Sequence, residues 1–136
     1  MPSISILIAD DSSAWRVQAR KILRQRPDWH IACEACDGEQ AVQHAVELRP
    51  DIILLDIGMP VLNGIAAAKQ IRRAFPNSKI VFLTQNTDFE MMEETRAVGA
   101  VGYVVKAHAL SELLPTIEAA LRDGHRTTAR LNEPVV

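Results

Sequence analysis

The chain has 136 residues and a mass of 15.1 kDa, the size of one ordinary domain with no room for two. Apolar residues make up 48% and charged residues 24%, the balance of a globular protein rather than a disordered chain. A formal charge of −2 and only six aromatic residues exclude a basic field that would hold nucleic acid and a platform for stacking bases.

The first residues contain no basic leader, and no apolar run reaches the length of a membrane span. With two cysteines, these features predict a reducing, cytoplasmic location. Taken in chain order, Ile4–Ala9 is a short apolar run that ends in Asp10 and Asp11. A helix follows, with Trp15, Ala19, Ile22 and Leu23 on one face and Arg16, Arg20 and Arg24 on the other. His30–Ala35 is a weaker run, followed by a helix with Ala41, Ala45 and Leu48 in a stripe. Ile52–Leu55 ends in Asp56, and the next helix carries Ile65, Ala68 and Ile71. Lys79–Leu83 ends in Thr84, before a helix marked by Met91, Thr95 and Val98. Gly102–Val105 ends in Lys106, and Leu110, Leu113, Leu114, Ile117 and Leu121 mark the last helix. Gly38 and Gly64 open the second and third helices, while Gly99 and Gly124 follow the fourth and fifth.

The apolar runs are too short for helices, rich in Ile and Val, and scarcely alternate. That pattern belongs to strands covered on both faces, hence to a parallel sheet. Five strands alternating with five helices predict an α/β, flavodoxin-like (βα)5 fold: a doubly wound five-stranded parallel sheet of order 2-1-3-4-5. The domain is expected to span residues 1–123, with 124–136 a C-terminal tail or linker stub.

In such a sheet, ligands bind at the carboxyl ends of the strands. Asp10, Asp11, Asp56, Thr84 and Lys106 all fall there. At ~4.8 Å per strand, Asp56 neighbours both the Asp10–Asp11 turn and Thr84, and Lys106 starts ~10 Å away. Two like charges ~4 Å apart cost about 4 kcal/mol at an effective dielectric of ~20, so three carboxylates call for a compensating cation. A hard divalent ion such as Mg²⁺ takes oxygen ligands, and Lys106 adds a fixed positive charge. A carboxylate nucleophile, a metal, a lysine and a hydroxyl together suit phosphoryl transfer.

Asp10-Asp11, the run Leu55-Asp-Ile-Gly-Met-Pro-Val-Leu-Asn-Gly64, Thr84 and Tyr103-Val-Val-Lys106 resemble the receiver domain of bacterial two-component response regulators. The similarity covers roughly residues 4 to 122. The segment from Leu55 to Gly64 is most similar to receivers attached to LuxR-type DNA-binding domains, although no helix-turn-helix pattern follows here. The resemblance implies that Asp56 accepts a phosphoryl group from a sensor histidine kinase, a phosphotransfer protein or a small phosphodonor. It implies that Asp10, Asp11, Asp56 and the backbone carbonyl of Gly58 hold Mg²⁺, that Lys106 and Thr84 meet the phosphoryl group, and that Tyr103 is a switch aromatic following Thr84. The chain would then be a phosphorylation-controlled switch rather than a turnover enzyme. Its surface of helix four, strand five and helix five would address an output protein or domain, with no direct nucleic-acid or membrane binding.

Three departures from the family pattern stand out. Ala107 follows Lys106 where proline is usual, which leaves a cis bond there in doubt. Gln85 follows Thr84 where a small residue is usual, and Gly58 and Asn86 occupy the variable positions beside the site. Competing classes are an unphosphorylated receiver-like scaffold, for which Gln85 and Ala107 speak, and a phosphohydrolase with an aspartyl-phosphate intermediate. The latter normally has a DxD motif and a cap insertion, absent here. Asp10-Asp11 would repel a flavin phosphate, and neither a dinucleotide nor a P-loop fingerprint occurs. Cys33 and Cys36 stand three apart on a strand, hence on opposite faces, and read as structural. Trp15 and Trp29 read as packing residues, and the three arginines of the first helix as a solvated face or a kinase-docking face.

Overall fold

The computed structural model describes residues 3–85 and 89–123; Asn86 and the expected tail 124–136 lie outside them. Five parallel strands are β1 (Ile4–Ala9), β2 (Trp29–Ala35), β3 (Ile52–Asp56), β4 (Ile80–Thr84) and β5 (Gly102–Val105). They form one sheet in the order β2-β1-β3-β4-β5, as the apolar runs predict. The helices are α1 (Ser13–Leu23), α2 (Gly38–Leu48), α3 (Gly64–Ala74), α4 (Phe89–Ala97) and α5 (Ala109–Asp123), with a single 3₁₀ turn at Lys106–His108.

Three helix starts are fixed by side-chain caps. Ser12 Oγ accepts from the Trp15 N–H at 3.2 Å, Asp37 Oδ1 from the Gln40 N–H at 2.8 Å, and Asn63 Oδ1 from the Ala66 N–H at 2.9 Å. Each cap ends the loop that leaves a strand, so α1 and α3 begin next to the acidic strand ends. No helix among the described residues is long and apolar enough to cross a membrane.

The sheet has a core on each side. Ile6, Ile8, Leu54, Val81, Leu83 and Val104 meet α1 and α5, while Leu7, Leu55, Ile80 and Phe82 meet α2 and α3. Every residue of β3 and β4 is buried, which explains why those runs do not alternate. Each buried Leu or Ile there contributes roughly 1.5–3 kcal/mol by leaving water.

Three readings of the apolar pattern change. Leu110 is 73% exposed and Leu48 48% exposed; the α5 stripe starts instead at Ala109, which is buried. A bulge shifts the β1–β2 register between Ile6 and Leu7, so Ile6 pairs with Ile31 but Leu7 with Cys33. Ile31 therefore packs on the α1–α5 side and Cys33 on the α2–α3 side. Cys36 lies past the end of β2 and is exposed, so it is neither a strand residue nor a packed structural cysteine.

Candidate functional site

Because all five strands point the same way, their carboxyl ends share one edge. Asp11, Ser12, Asp56, Ile57, Gly58, Thr84, Gln85, Met91 and Lys106 line an open cleft of about 360 Å³ there. Asp10 is fully buried beneath it. Asp10, Asp11 and Asp56 each offer a carboxylate oxygen, and these oxygens all lie within 4.8 Å of one another.

Lys106 reaches across from the end of β5, as the strand spacing predicts. Its Nζ stands 2.6 Å from Asp10 Oδ2 and 3.5 Å from Asp56 Oδ1. The same Nζ stands over the Trp15 ring, 5.3 Å from its centroid. Asp10 Oδ1 accepts from the Ser12 N–H at 2.9 Å. The approach of Lys106 to Asp10 Oδ2 is an ion contact without hydrogen-bond alignment, so that buried oxygen accepts no directed hydrogen bond.

Burial holds the Asp56 carboxyl above the usual carboxylate range, and the neighbouring Asp10 charge pushes the same way. Lys106 and the Gly58 N–H oppose that rise. An all-oxygen cluster with one buried oxygen lacking an aligned donor fits a hard cation.

The loop after β3 is shaped to hold Asp56. The Gly64 N–H donates to the Ile57 carbonyl at 2.8 Å. A Cβ on Gly64 would stand 2.7 Å from Ile57 Cα and closer still to the Asp56 carbonyl oxygen, so only glycine fits. Within the same loop the Leu62 N–H donates to the Pro60 carbonyl at 2.7 Å across Val61, whose φ is +69°. That is a γ-turn centred on a β-branched residue, a strained arrangement.

Thr84 is buried at the end of β4 and lines the cleft. Tyr103 pairs in register with Phe82 and sits outside the cleft, in a hollow with Met92, Thr95, Arg96 and Ala100. No cis peptide bond occurs among the described residues, the Lys106–Ala107 bond included.

Several contributors escaped the reading of the sequence. Arg16 Nη1 donates to the Asp10 carbonyl at 2.6 Å while its Nε bonds Glu34 Oε1 at 3.0 Å. Arg20 bonds the second oxygen of Glu34. Two of the three α1 arginines therefore clamp β2 and the end of β1 rather than forming a solvated face. Trp15 does pack on the core, but it also flanks Lys106.

The response regulator receiver domain model matches residues 6–118. The chain belongs to that family. Receivers of transcriptional regulators are among its relatives: it is 40% identical over 119 residues to the uncharacterized transcriptional regulatory protein YxjL of Bacillus subtilis, covering 88% of this chain and 55% of YxjL. The chain spans about half the length of the first curated relatives it matches. Among solved structures, a LuxR-family two-component response regulator from Aurantimonas sp. SI85-9A1 superposes with a TM-score of 0.84 at 28% identity, covering 94% of this chain and 96% of that one. A chain of the CheX–CheY–BeF3–Mg complex from Borrelia burgdorferi matches with a TM-score of 0.82 at 25% identity, covering 88% and 90%. The receiver's acidic pocket, Asp10, Asp11 and Asp56 with Lys106, is thus in the arrangement of a phosphoaccepting receiver.

Proposed function

We propose that Asp56 accepts a phosphoryl group from a phosphohistidine donor or a small phosphodonor, and that the resulting aspartyl phosphate switches the α4–β5–α5 surface. The observation that carries this reading is the convergence of three carboxylates and Lys106 at one cleft. Asp56 alone of the three lies both in the cleft wall and within 3.5 Å of Lys106.

Asp10, Asp11, Asp56 and the Gly58 carbonyl would hold Mg²⁺. When bound, that ion neutralises phosphoryl oxygens and offsets the carboxylate repulsion. Asp56 supplies the attacking oxygen, Lys106 pairs with the incoming charge, and Thr84 donates a hydrogen bond to it. The phosphoryl group, carrying about two negative charges where the carboxylate carried one, then draws Thr84 and Lys106 toward Asp56 and biases a pre-existing equilibrium felt at Tyr103. The reaction is stoichiometric, one phosphoryl group per chain, with hydrolysis as the return path rather than turnover of a separate substrate.

A sensor histidine kinase or phosphotransfer protein, in the cytoplasm, is the protein donor that suits this reading. The resemblance to transcriptional regulators supports a DNA-binding output partner, attached or separate. Residues 1–123 form the receiver unit and 124–136 a tail or linker. The testing experiment is incubation with phosphoramidate, with and without Mg²⁺, read by intact mass. One added phosphoryl mass, dependent on Mg²⁺ and absent from Asp56→Asn, is the expected result; equal labelling of Asp56→Asn would overturn the assignment.

A further inference from the structure

Lys106 is the one group that the site asks both to neutralise carboxylates and to meet a phosphoryl group, yet its side chain is long and flexible. Its backbone enters through a 3₁₀ turn, and its side chain is only 11% exposed. Carboxylates approach the ammonium at 2.6 and 3.5 Å. The ammonium also stands over the Trp15 indole, with the ring centroid 5.3 Å from Nζ, inside the range of a cation–π contact.

Trp15 belongs to α1, whose N-terminal cap, Ser12, also bonds Asp10 through its N–H. One short segment thus fixes the buried carboxylate and the ring that faces the lysine. The Trp15 Nε1–H is buried and no atom among the described residues accepts it. A buried indole usually finds an acceptor for that donor. Here the ring is oriented by its face, against Lys106 and the α1–α5 core, rather than by its N–H.

We infer that Trp15 is a positioning residue for Lys106: its ring face holds the ammonium at the mouth of the acidic cleft, ready for the phosphoryl oxygens. The inference rests on the phosphoacceptor reading of Asp56 and adds to it a group that touches neither metal nor phosphoryl. An aromatic at this place keeps the lysine localised when the incoming anion draws it away from Asp10. An aliphatic side chain such as leucine keeps an apolar group against the core but leaves the lysine free to swing toward solvent.

The test uses the whole chain in a Trp29→Phe background, so that Trp15 is the only tryptophan. Beryllofluoride affinity is measured by NMR in saturating Mg²⁺ for Trp15, Trp15→Phe, Trp15→Leu and a series of progressively fluorinated tryptophans. Fluorination drains the ring face of negative potential while nearly preserving its shape. Affinity should fall stepwise along the fluorinated series. It should fall about tenfold in Trp15→Leu, equivalent to ~1.4 kcal/mol, with much of it kept in Trp15→Phe. In the ligand-free protein the Lys106 ε-methylene protons should be shifted upfield by the ring relative to those of Lys21, Lys69 and Lys79, and Trp15→Leu should abolish that shift. Affinity indifferent to fluorination, or raised by it, would overturn the inference alone. A parent protein that binds no beryllofluoride would overturn the Asp56 reading, and the inference with it.

Discussion

Gly64 packs directly on the backbone of Asp56, leaving no space for a Cβ between the first turn of α3 and the carbonyl of the candidate phosphoacceptor. The Gly64 N–H bond to Ile57 at 2.8 Å locks the same approach. A side chain here must push on backbone rather than on a flexible neighbour. Gly64→Ala should therefore destabilise the fold by about 1–3 kcal/mol, the usual range for forcing extra atoms into a packed site. Urea denaturation measures it. The substituted protein should also lose phosphorylation under conditions where it remains folded, because the strain falls on Asp56.

That contact marks the boundary between what the sequence showed and what it did not. Strand order and the edge shared by Asp10, Asp11, Asp56, Thr84 and Lys106 were legible because strand-end position is a local property of each run. The reach of Lys106 followed from the sheet spacing. Contacts made across the fold were not legible. Arg16 and Glu34 are 18 residues apart, and helical spacing alone cannot say that β2 presents a carboxylate to α1. The bulge that turns Cys33 to the other side of the sheet likewise has no signature in a short run where His30 and Glu34 already interrupt the apolar residues. Leu110 belongs to the apolar stripe by spacing, but α5 begins with Ala109 toward the core, which rotates Leu110 into solvent.

Proton linkage at Asp56 has a definite sign. Burial and the Asp10 charge raise its pKa in the folded chain, so the folded state retains a proton that the unfolded state has already lost. That contribution to stability is full below the unfolded pKa and disappears as pH rises through the raised folded value. In chelator, the parent protein should lose stability across this window. Asp56→Asn, with no proton to lose at that position, should lack that fall and be the more stable of the two at neutral pH. Thermal melts across pH read the difference. Added Mg²⁺ should stabilise the parent by linkage and the Asn variant less.

Val61 holds a φ of +69° at the centre of the turn before α3 and is 72% exposed. It gains little burial for the strain it carries. Such backbone costs roughly 1–3 kcal/mol for an unsuitable residue, and glycine gives back about 0.5–1 kcal/mol in chain entropy. Val61→Gly should therefore stabilise the protein by about 1 kcal/mol in urea denaturation. Phosphoryl acceptance should persist, since the Asp56 backbone is held by Gly64.

In the proposed reading, Thr84 separates covalent chemistry from switching. Its hydroxyl would offer one hydrogen bond to an anionic phosphoryl group, worth roughly 1.5–3 kcal/mol, and the upper part of that range makes a state of a few per cent the major one. Thr84→Ala should be phosphorylated yet respond locally. Backbone chemical shifts with beryllofluoride and Mg²⁺ should change from Asp56 through Tyr103 to α4 in the parent, and only near Asp56 in the variant.

The most direct measurement identifies the modified residue itself. An acyl phosphate is reduced by borohydride to an alcohol, so a phosphorylated aspartate becomes homoserine, which peptide mass spectrometry locates. After phosphoramidate and Mg²⁺, homoserine should appear at position 56 and at no other. Homoserine at position 10 or 11, or none anywhere after borohydride treatment of a protein that has gained phosphoryl mass, would contradict the account.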